Sequence, residues 1–389
     1  MLNDYLGDVG GAERYVTEVC RALSQSSMEV HVAFGRRTGE LDISLPLHEL
    51  PMALFEFPWF RRVSMRPLAD LVHRLRPNVV YLNNVLNPYS LDVLPTDSKT
   101  FRFVHDHRLF CAEGKILWRS QKACERPFGM GCLWKTCLER CMGKNPLWWT
   151  AQLWLKPQEI RKSKSLRGLV VASRYMKEEL CKQGFDSNRI MVHPLFSRFP
   201  ATRKTRESED LILYVGQLSL RKGVPLLLRH FEHMPSTCRL ELVGQAPTLE
   251  EKRRVDQALL ACQARDRVQL SGWIQGEALR DIYRRAMVLV MPSLWPEPFG
   301  LAGVEALSQG TPVVAFASGG IPEWLQDSAG GIVVPPGDWT GLVEAVNRIC
   351  EDKKLRQDLG NAGRLYVETS LTLERHVEGL IQLFESTGG

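Results

Sequence analysis

From Leu211 to Val334 the chain repeats one rhythm. Short apolar, β-branched runs at Leu211–Val215, Arg239–Val243, Arg267–Leu270, Met287–Met291, Val313–Phe316 and Gly331–Val334 alternate with helical patterns near 224–234, 249–264, 277–286, 302–309 and 339–351. Strand, helix, strand in that order predicts a parallel, doubly wound α/β sheet, whose ligands bind at the carboxyl ends of the strands. The N-terminal half follows the same plan with longer insertions: helix 11–25, strand 28–34, helix 66–76, strands 78–82, 101–104 and 168–172, helix 174–183 and strand 190–193. A length of 389 residues accommodates two such domains at about 150 residues each.

Residues 1–197 are therefore assigned to an N-terminal domain and 211–370 to a C-terminal one. Residues 198–210, rich in Arg, Lys, Ser, Thr and Glu, read as an exposed connection. In 371–389, Leu373, Val377, Leu380, Ile381 and Phe384 recur at helical spacing and predict a closing amphipathic helix. The first strand reads as truncated, because the turn holding Gly7, Gly10 and Gly11 arrives after only Met1–Leu6. Either the frame extends upstream or the N-terminal sheet lacks an interior strand.

With 44% hydrophobic and 24% charged residues, the composition excludes fibres and disordered tails. No apolar run approaches the ~18 residues that cross a bilayer. The opening Met-Leu-Asn-Asp-Tyr carries acid where a secretory leader carries Lys or Arg, so a cytoplasmic protein is expected. The net charge of +6 conceals a local excess: Arg161–Arg206 holds twelve Lys or Arg against Glu178, Glu179 and Asp186, or 12 − 3 = +9. A solvated helix face and linker accounts for it; anionic lipid or phosphate is the functional alternative, and no nucleic-acid partner is assigned.

The segment Glu297-Pro-Phe-Gly-Leu-Ala-Gly-Val-Glu305 places two carboxylates eight residues apart across a helix start. Eight helical steps rise about 12 Å, the scale of a nucleoside diphosphate sugar from sugar to ribose. Each carboxylate accepts two hydroxyl donors at once, and the amides of Phe299, Gly300 and Leu301 favour a phosphate between them. Arg221 and Lys222 precede a second helix and offer two cations to such a phosphate, or form an ordinary basic turn. There is no Asp-x-Asp, so these cations stand where a divalent ion would otherwise act.

In order and spacing, a series of segments resembles the retaining nucleotide-sugar glycosyltransferases of glycosyltransferase family 4. They are Gly10-Gly11-Ala12-Glu13, His105-Asp106, Ala172-Ser173, Gly216-Gln217-Leu218 to Arg221-Lys222-Gly223, Leu242-Val243-Gly244, Pro292-Ser293, Glu297 to Glu305, Gly310 to Val314, and Gly319-Gly320-Ile321-Pro322-Glu323. The resemblance implies a GT-B arrangement of two Rossmann-like domains facing an interlobe cleft, with acceptor side first and nucleotide-sugar side second. The last helix would cross back to the first domain.

By the same resemblance Glu305 holds the donor ribose, Glu297 the transferred sugar, and Arg221 and Lys222 the diphosphate. Gly10, Gly11, Gly216 and Gly244 give close backbone approach, Trp273 and Ile274 flank the base, and Glu13 touches the acceptor or caps the glycine-rich loop. His105 positions substrate or stabilises the sugar cation; a structural histidine is the other reading. Family members often carry Arg where Gln217 stands, so this chain has one fewer cation at the phosphates. The implied activity is metal-independent, retaining transfer from a UDP-, GDP- or ADP-sugar to a saccharide or lipid-linked acceptor, as in cell-surface polysaccharide or glycolipid synthesis. A nucleotide-sugar epimerase and a non-catalytic membrane-associated assembly factor are the alternatives.

Five of the ten cysteines, Cys111, Cys124, Cys132, Cys137 and Cys141, crowd into an insertion at about 108–145. Structural zinc, reversible disulfides and free thiols all fit that spacing. Pro146–Lys156, with Trp148, Trp149 and Trp154 and then Arg161, Lys162, Lys164 and Arg167, matches either a helix lying in a membrane interface or a helix packed on the first domain.

Overall fold

The computed structural model describes residues 1–7, 11–26, 28–38, 44–52, 64–95, 99–111, 115–117, 122–139, 141, 146–203 and 209–385. It divides into two compact units. The first comprises Met1–Ser120, Cys124–Pro194 and Leu373–Gly389; the second comprises Leu195–Thr372 with the short piece Gln121–Ala123.

The first unit contains β1 (Leu2–Gly7), α1 (Gly11–Ser24), β2 (Val32–Thr38), β3 (Leu47–Glu49), α2 (Arg66–Leu75), β4 (Val79–Leu82) and β5 (Lys99–Val104). Within the insertion lie the two-residue strands β6 (Ile116–Leu117) and β7 (Lys122–Ala123), then α3 (Gly131–Glu139). After it come α4 (Pro146–Lys164), β8 (Gly168–Val171), α5 (Arg174–Lys182) and β9 (Ile190–Val192). Seven strands form one parallel sheet in the order β3-β2-β1-β4-β5-β8-β9.

The strand that reads as truncated is thus a six-residue interior strand. Its polar Asn3 and Asp4 are buried, which hides the apolar pattern expected of an interior strand. Asn3 Oδ1 accepts the Asn84 amide at 3.0 Å, so the polar side chain ties β1 to the end of β4.

The second unit contains β10 (Leu211–Val215), α6 (Val224–His230), β11 (Arg239–Val243), α7 (Leu249–Ala261), β12 (Val268–Gly272), α8 (Gly276–Arg285) and β13 (Val288–Met291). It continues through α9 (Leu301–Ser308), β14 (Val313–Phe316), α10 (Ile321–Asp327), β15 (Gly331–Val334), α11 (Trp339–Glu351) and α12 (Lys353–Ser370). Six parallel strands lie in the order β12-β11-β10-β13-β14-β15. Ile212, Leu240, Val288 and Val290 join Leu227, Leu228, Phe231 and Val346 from the helices in one buried cluster, as a sheet covered by helices requires. The order reverses direction at β10, so the ligand crevice belongs beyond β10 and β13.

The stretch before β10 is not wholly an exposed connection. Phe196 and Phe199 are buried, and the Thr202 amide donates to the Ser308 carbonyl at 2.8 Å, so its described part packs on the second unit. Residues 204–208 lie outside the described residues.

The last helix, α13 (Leu373–Glu385), belongs to the first unit. Phe384 packs edge-on to Tyr81, with ring centroids 5.3 Å apart. His376 Nδ1–H donates to the Pro194 carbonyl at 2.8 Å, leaving Nε2 to accept the Tyr15 hydroxyl at 3.0 Å; Tyr81 completes the relay with a 2.9 Å contact to Tyr15. Burial, with the His193 ring 4.1 Å away and tilted against it, pushes His376 down to about 3.

A buried neutral histidine makes acid destabilising. Below the unfolded value near 6.5 the unfolded chain takes up a proton that the folded chain refuses, until pH reaches about 3. Stability should fall across that window by about 1.4 kcal/mol per pH unit from this group. Thermal denaturation as a function of pH checks it, and His376→Gln should flatten the slope.

Candidate active site

The second unit builds its site from two loops at the strand ends. Gly216, after β10, opens the loop that leads to Arg221, Lys222 and α6; Pro292, after β13, opens the loop that carries Ser293, Trp295 and Glu297 to α9. The loops are laced together by the amides of Leu294 and Trp295, which both donate to the Arg221 carbonyl at 2.9 and 3.0 Å. Glu251, at the start of α7, accepts the Leu220 amide at 2.8 Å and steadies the same turn.

On this frame Lys222 Nζ donates to Glu297 Oε1 at 2.5 Å, and Ser293 Oγ donates to the same oxygen at 2.7 Å. The Trp295 ring faces both cations, 5.2 Å from the Arg221 guanidinium and 4.6 Å from Lys222 Nζ. Such cation–π contacts hold two like charges beside each other without neutralising them. The Glu297 backbone is equally fixed: its carbonyl accepts the Gly320 amide at 2.7 Å, and a Cβ on Gly319 (φ 62°) would lie 2.0 Å from that oxygen. Only glycine fits there.

Glu305 lies eight residues after Glu297, within α9, and is buried. Arg198 grips it with two contacts, Nε to Oε1 at 2.7 Å and Nη2 to Oε2 at 3.0 Å, and the Tyr283 hydroxyl donates to Oε2 at 2.9 Å. Burial raises the Glu305 pKa while Arg198 and Tyr283 pull it down. The group is a hydrogen-bonding anchor held in one orientation.

Of the other donor candidates, Phe299 is buried with its carbonyl accepting Trp324 Nε1 at 2.6 Å; Gly300 caps α9 in the left-handed conformation, and Leu301 begins the helix. Gly244 follows β11, and its amide donates to the Gly272 carbonyl at 2.7 Å; a Cβ there would meet the Gly216 carbonyl at 1.8 Å. The ends of β10, β11 and β12 thus form a glycine-lined row. Trp273, half exposed, and Ile274 come directly after it.

The first unit gathers its own set where β4 and β5 end. His105 Nε2–H donates to Asn83 Oδ1 at 2.9 Å, while its ring packs against Phe103 at 4.4 Å and edge-on to Tyr15 at 5.1 Å. Burial pushes His105 down to about 3, against the pull of Asp106. It is a neutral imidazole with a fixed tautomer whose Nδ1 carries the lone pair. The Asn83 Nδ2 group is buried with no hydrogen-bond partner among the described residues. A buried unpaired donor beside a fixed imidazole is a place for an acceptor oxygen.

Asp106 holds Arg108 through Nε at 2.8 Å, and Arg108 Nη2 reaches Asn84 Oδ1 at 3.0 Å. Burial works against the Arg108 charge, but Asp106, Asp4 and Glu13 together raise its pKa. Glu13 is therefore part of this neighbourhood, and Gly11 begins the same helix, α1. Gly10 lies outside the described residues.

Sequence reasoning found Arg221, Lys222, Glu297 and Glu305 but missed the groups that hold them. Ser293 was named only as part of the resemblance, and Trp295 lies between it and Glu297. Asn83 follows an apolar strand, and that position was the signal available for it. Arg198 and Tyr283 had none, since only folding brings them to Glu305.

The described thiols of the insertion gather loosely. Cys111, Cys124 and Cys132 act electrostatically on Cys141, whose pKa burial raises. Among the described residues no group of three or more His, Cys, Asp or Glu side chains is placed to hold a metal ion; the Cys137 side chain lies outside them. The helix α4 is pinned on the first unit by a buried network. Arg102 donates to Glu159 Oε1 at 2.8 Å, Ser163 Oγ at 2.8 Å and the Val85 carbonyl at 2.9 Å, and Lys156 pairs with Glu159 Oε2 at 2.8 Å. The network packs α4 from Lys156 onward, while Trp154 is 57% exposed and the side chains of Trp148 and Trp149 lie outside the described residues. No described helix is long and apolar enough to cross a membrane.

Two parallel sheets, each with a polar cluster at its strand ends, are the paired Rossmann-like domains of the GT-B fold. WaaG, a glycosyltransferase of lipopolysaccharide biosynthesis, superposes with a TM-score of 0.69 over 100% of this chain and 99% of its own at 16% identity. Anabaena HepE, solved with UDP and glucose, does so with a TM-score of 0.70 over 99% and 98% at 16% identity. Residues 9–196 match the family model described as Glycosyltransferase Family 4, and residues 197–366 that described as Glycosyl transferases group 1, so the chain belongs to the family-4-like glycosyltransferases.

Among curated relatives, the D-inositol 3-phosphate glycosyltransferase of Xylanimonas cellulosilytica is 33% identical over 215 residues, 50% of this chain and 51% of that protein. An uncharacterized glycosyltransferase of Methanocaldococcus jannaschii is 30% identical over 210 residues, 50% and 53%. The chain spans about half the length of these curated relatives.

Proposed function

We propose that this chain transfers a sugar with retention of configuration from a nucleotide-sugar donor to a saccharide or lipid-linked acceptor, serving cell-surface polysaccharide or glycolipid synthesis. The observation that carries the reading is the cluster of Lys222, Arg221, Trp295, Ser293 and Glu297, where two cations on one indole stand beside a buried carboxylate. Leaving of the nucleoside diphosphate builds negative charge on the β-phosphate, and cations already in place stabilise it without reorganisation. Glu297 takes the sugar hydroxyls and Glu305 the ribose. The glycine row of Gly216 and Gly244 admits the nucleotide, with Trp273 and Ile274 flanking the base.

On the acceptor side, neutral His105 does not serve as a titrating base. Its Nδ1 accepts a hydroxyl hydrogen, and Asn83 Nδ2 donates to an acceptor or sugar oxygen. Glu13 and Arg108 complete a polar wall suited to a hydroxylated ligand. The rate should therefore show no ionisation near pH 6.5 from His105, and Asn83→Ala should raise the acceptor KM about tenfold. A pH–rate profile and acceptor titrations read both.

HepE's complex with UDP and glucose places UDP-sugars first in a thermal-shift screen against GDP- and ADP-sugars, since a ligand bound only by the folded state raises its apparent stability. Release of nucleoside diphosphate in the presence of a glycan pool, with the anomeric configuration of the product read by NMR, tests transfer and retention together. Activity that persists in a divalent-cation chelator supports metal independence, and activity lost in it removes that part of the reading. A structural zinc among Cys111, Cys124, Cys132, Cys137 and Cys141 is proposed from their spacing alone, and zinc content of the purified protein decides it. The reading places the protein in the cytoplasm, peripheral to the inner membrane face.

A further inference from the structure

The two oxygens of Glu305 are not equivalent. Oε2 accepts from Arg198 Nη2 at 3.0 Å and from the Tyr283 hydroxyl at 2.9 Å, which fills both of its lone pairs. Oε1 meets only Arg198 Nε among the described residues, at 2.7 Å, and keeps acceptor capacity. One oxygen is thus spent on the protein and the other is left for a ligand.

Arg198 comes from neither strand-end loop of the nucleotide site, yet the segment that carries it is tied down on both sides. The Ser197 amide donates to the Leu371 carbonyl at 2.9 Å, Gln309 Nε2 to the Pro200 carbonyl at 3.0 Å, and Arg280 Nη2 to Thr202 Oγ1 at 2.8 Å. The guanidinium lies 4.6 Å over the Phe199 ring, which meets Tyr283 edge-on with centroids 6.2 Å apart. A planar fork held this way fixes the tilt of a carboxylate, whereas an ammonium supplies charge without that constraint.

We propose, resting on the reading that Glu305 holds the ribose, that Arg198 is a positioning residue of the donor site and turns Glu305 so that Oε1 takes a ribose hydroxyl. Arg198 also keeps the carboxylate an acceptor. Burial raises the Glu305 pKa, and the Arg198 charge is the largest pull the other way. With Arg198 gone, the carboxyl takes up a proton as pH falls through a value raised further, and its bond to the hydroxyl hydrogen is lost at low pH.

Titration calorimetry of the full chain with UDP, GDP and ADP, and with the 2′-deoxy and 3′-deoxy forms of each, tests this. The parent should prefer a complete ribose by about tenfold, and Glu305→Gln should abolish the preference. Arg198→Met should lose most of it at about pH 6 and regain part by about pH 8, while the parent's stays level; ionisation of the phosphates cancels in this ratio. Arg198→Lys retains the charge without the fork, so its preference should be reduced but independent of pH, and it carries the test if Arg198→Met does not fold. Added to Glu305→Gln, Arg198→Met should weaken binding of the complete nucleotide no further. A parent without preference, or a preference that survives Glu305→Gln, ends the ribose reading and this role with it. Where Glu305→Gln abolishes the preference, its full retention in the folded Arg198 variants overturns the role of Arg198 alone. So does a further loss in the double variant, which would mean that Arg198 meets the nucleotide itself.

Discussion

Lys222→Ala should lower kcat/KM by about 10³-fold, with most of the loss in kcat. Lys222 stands beside the Arg221 guanidinium on one tryptophan ring and reaches Glu297, so it is placed for the leaving phosphate and for the carboxylate that holds the sugar. Removing it takes away a charge needed most when the diphosphate departs, and interactions strengthened in the transition state are the ones that set kcat. Lys222→Arg restores charge with different geometry and should recover part of the rate. If Lys222 acted only by orienting Glu297, Glu297→Gln alone would cost as much as the pair together, and a double-mutant cycle separates the two. Steady-state kinetics with an unchanged melting temperature is the required reading; full activity in Lys222→Ala would end the assignment.

Glu159→Ala should cost about 3–5 kcal/mol of stability. Arg102 is 2% exposed and directs its guanidinium at Glu159, Ser163 and the Val85 carbonyl, while Lys156 depends on the same carboxylate. The substitution leaves two buried cations without their shared anion, with only neutral acceptors left to offset the desolvation of each. Replacing Arg102, Lys156 and Glu159 together with Met, Met and Leu should cost far less, because the three charges and their burial penalties vanish together. Denaturant unfolding of the three proteins distinguishes a charge effect from loss of packing. Equal losses in the single and triple variants would mean that the ion-paired cluster is incidental.

The second unit was the more legible of the two. Its strands are buried on both faces, so runs such as Leu211–Val215 and Val313–Phe316 are uninterruptedly apolar and mark themselves. The interior strand β1 escaped that signal because Asn3 and Asp4 occupy buried positions and are satisfied by neighbours, a solution that pattern alone does not display. Arg221, Lys222, Glu297 and Glu305 could be singled out because each lies in a short segment with chemistry at close spacing. Arg198, 107 residues from Glu305, and Asn83, 22 from His105, act through contacts that exist only once the sheets have formed.

The helix that ends the chain has a practical consequence for anyone wishing to study one half by itself. Tyr15, Tyr81 and Phe384 meet under that final segment, so a gene stopping at residue 194 would encode a half-protein with an open seam, its inner tyrosines bare to water. Splicing residues 373–385 behind 194 through a flexible bridge should close the seam, and the soluble yields of the two versions would measure how much the sheet owes to its distant last turns.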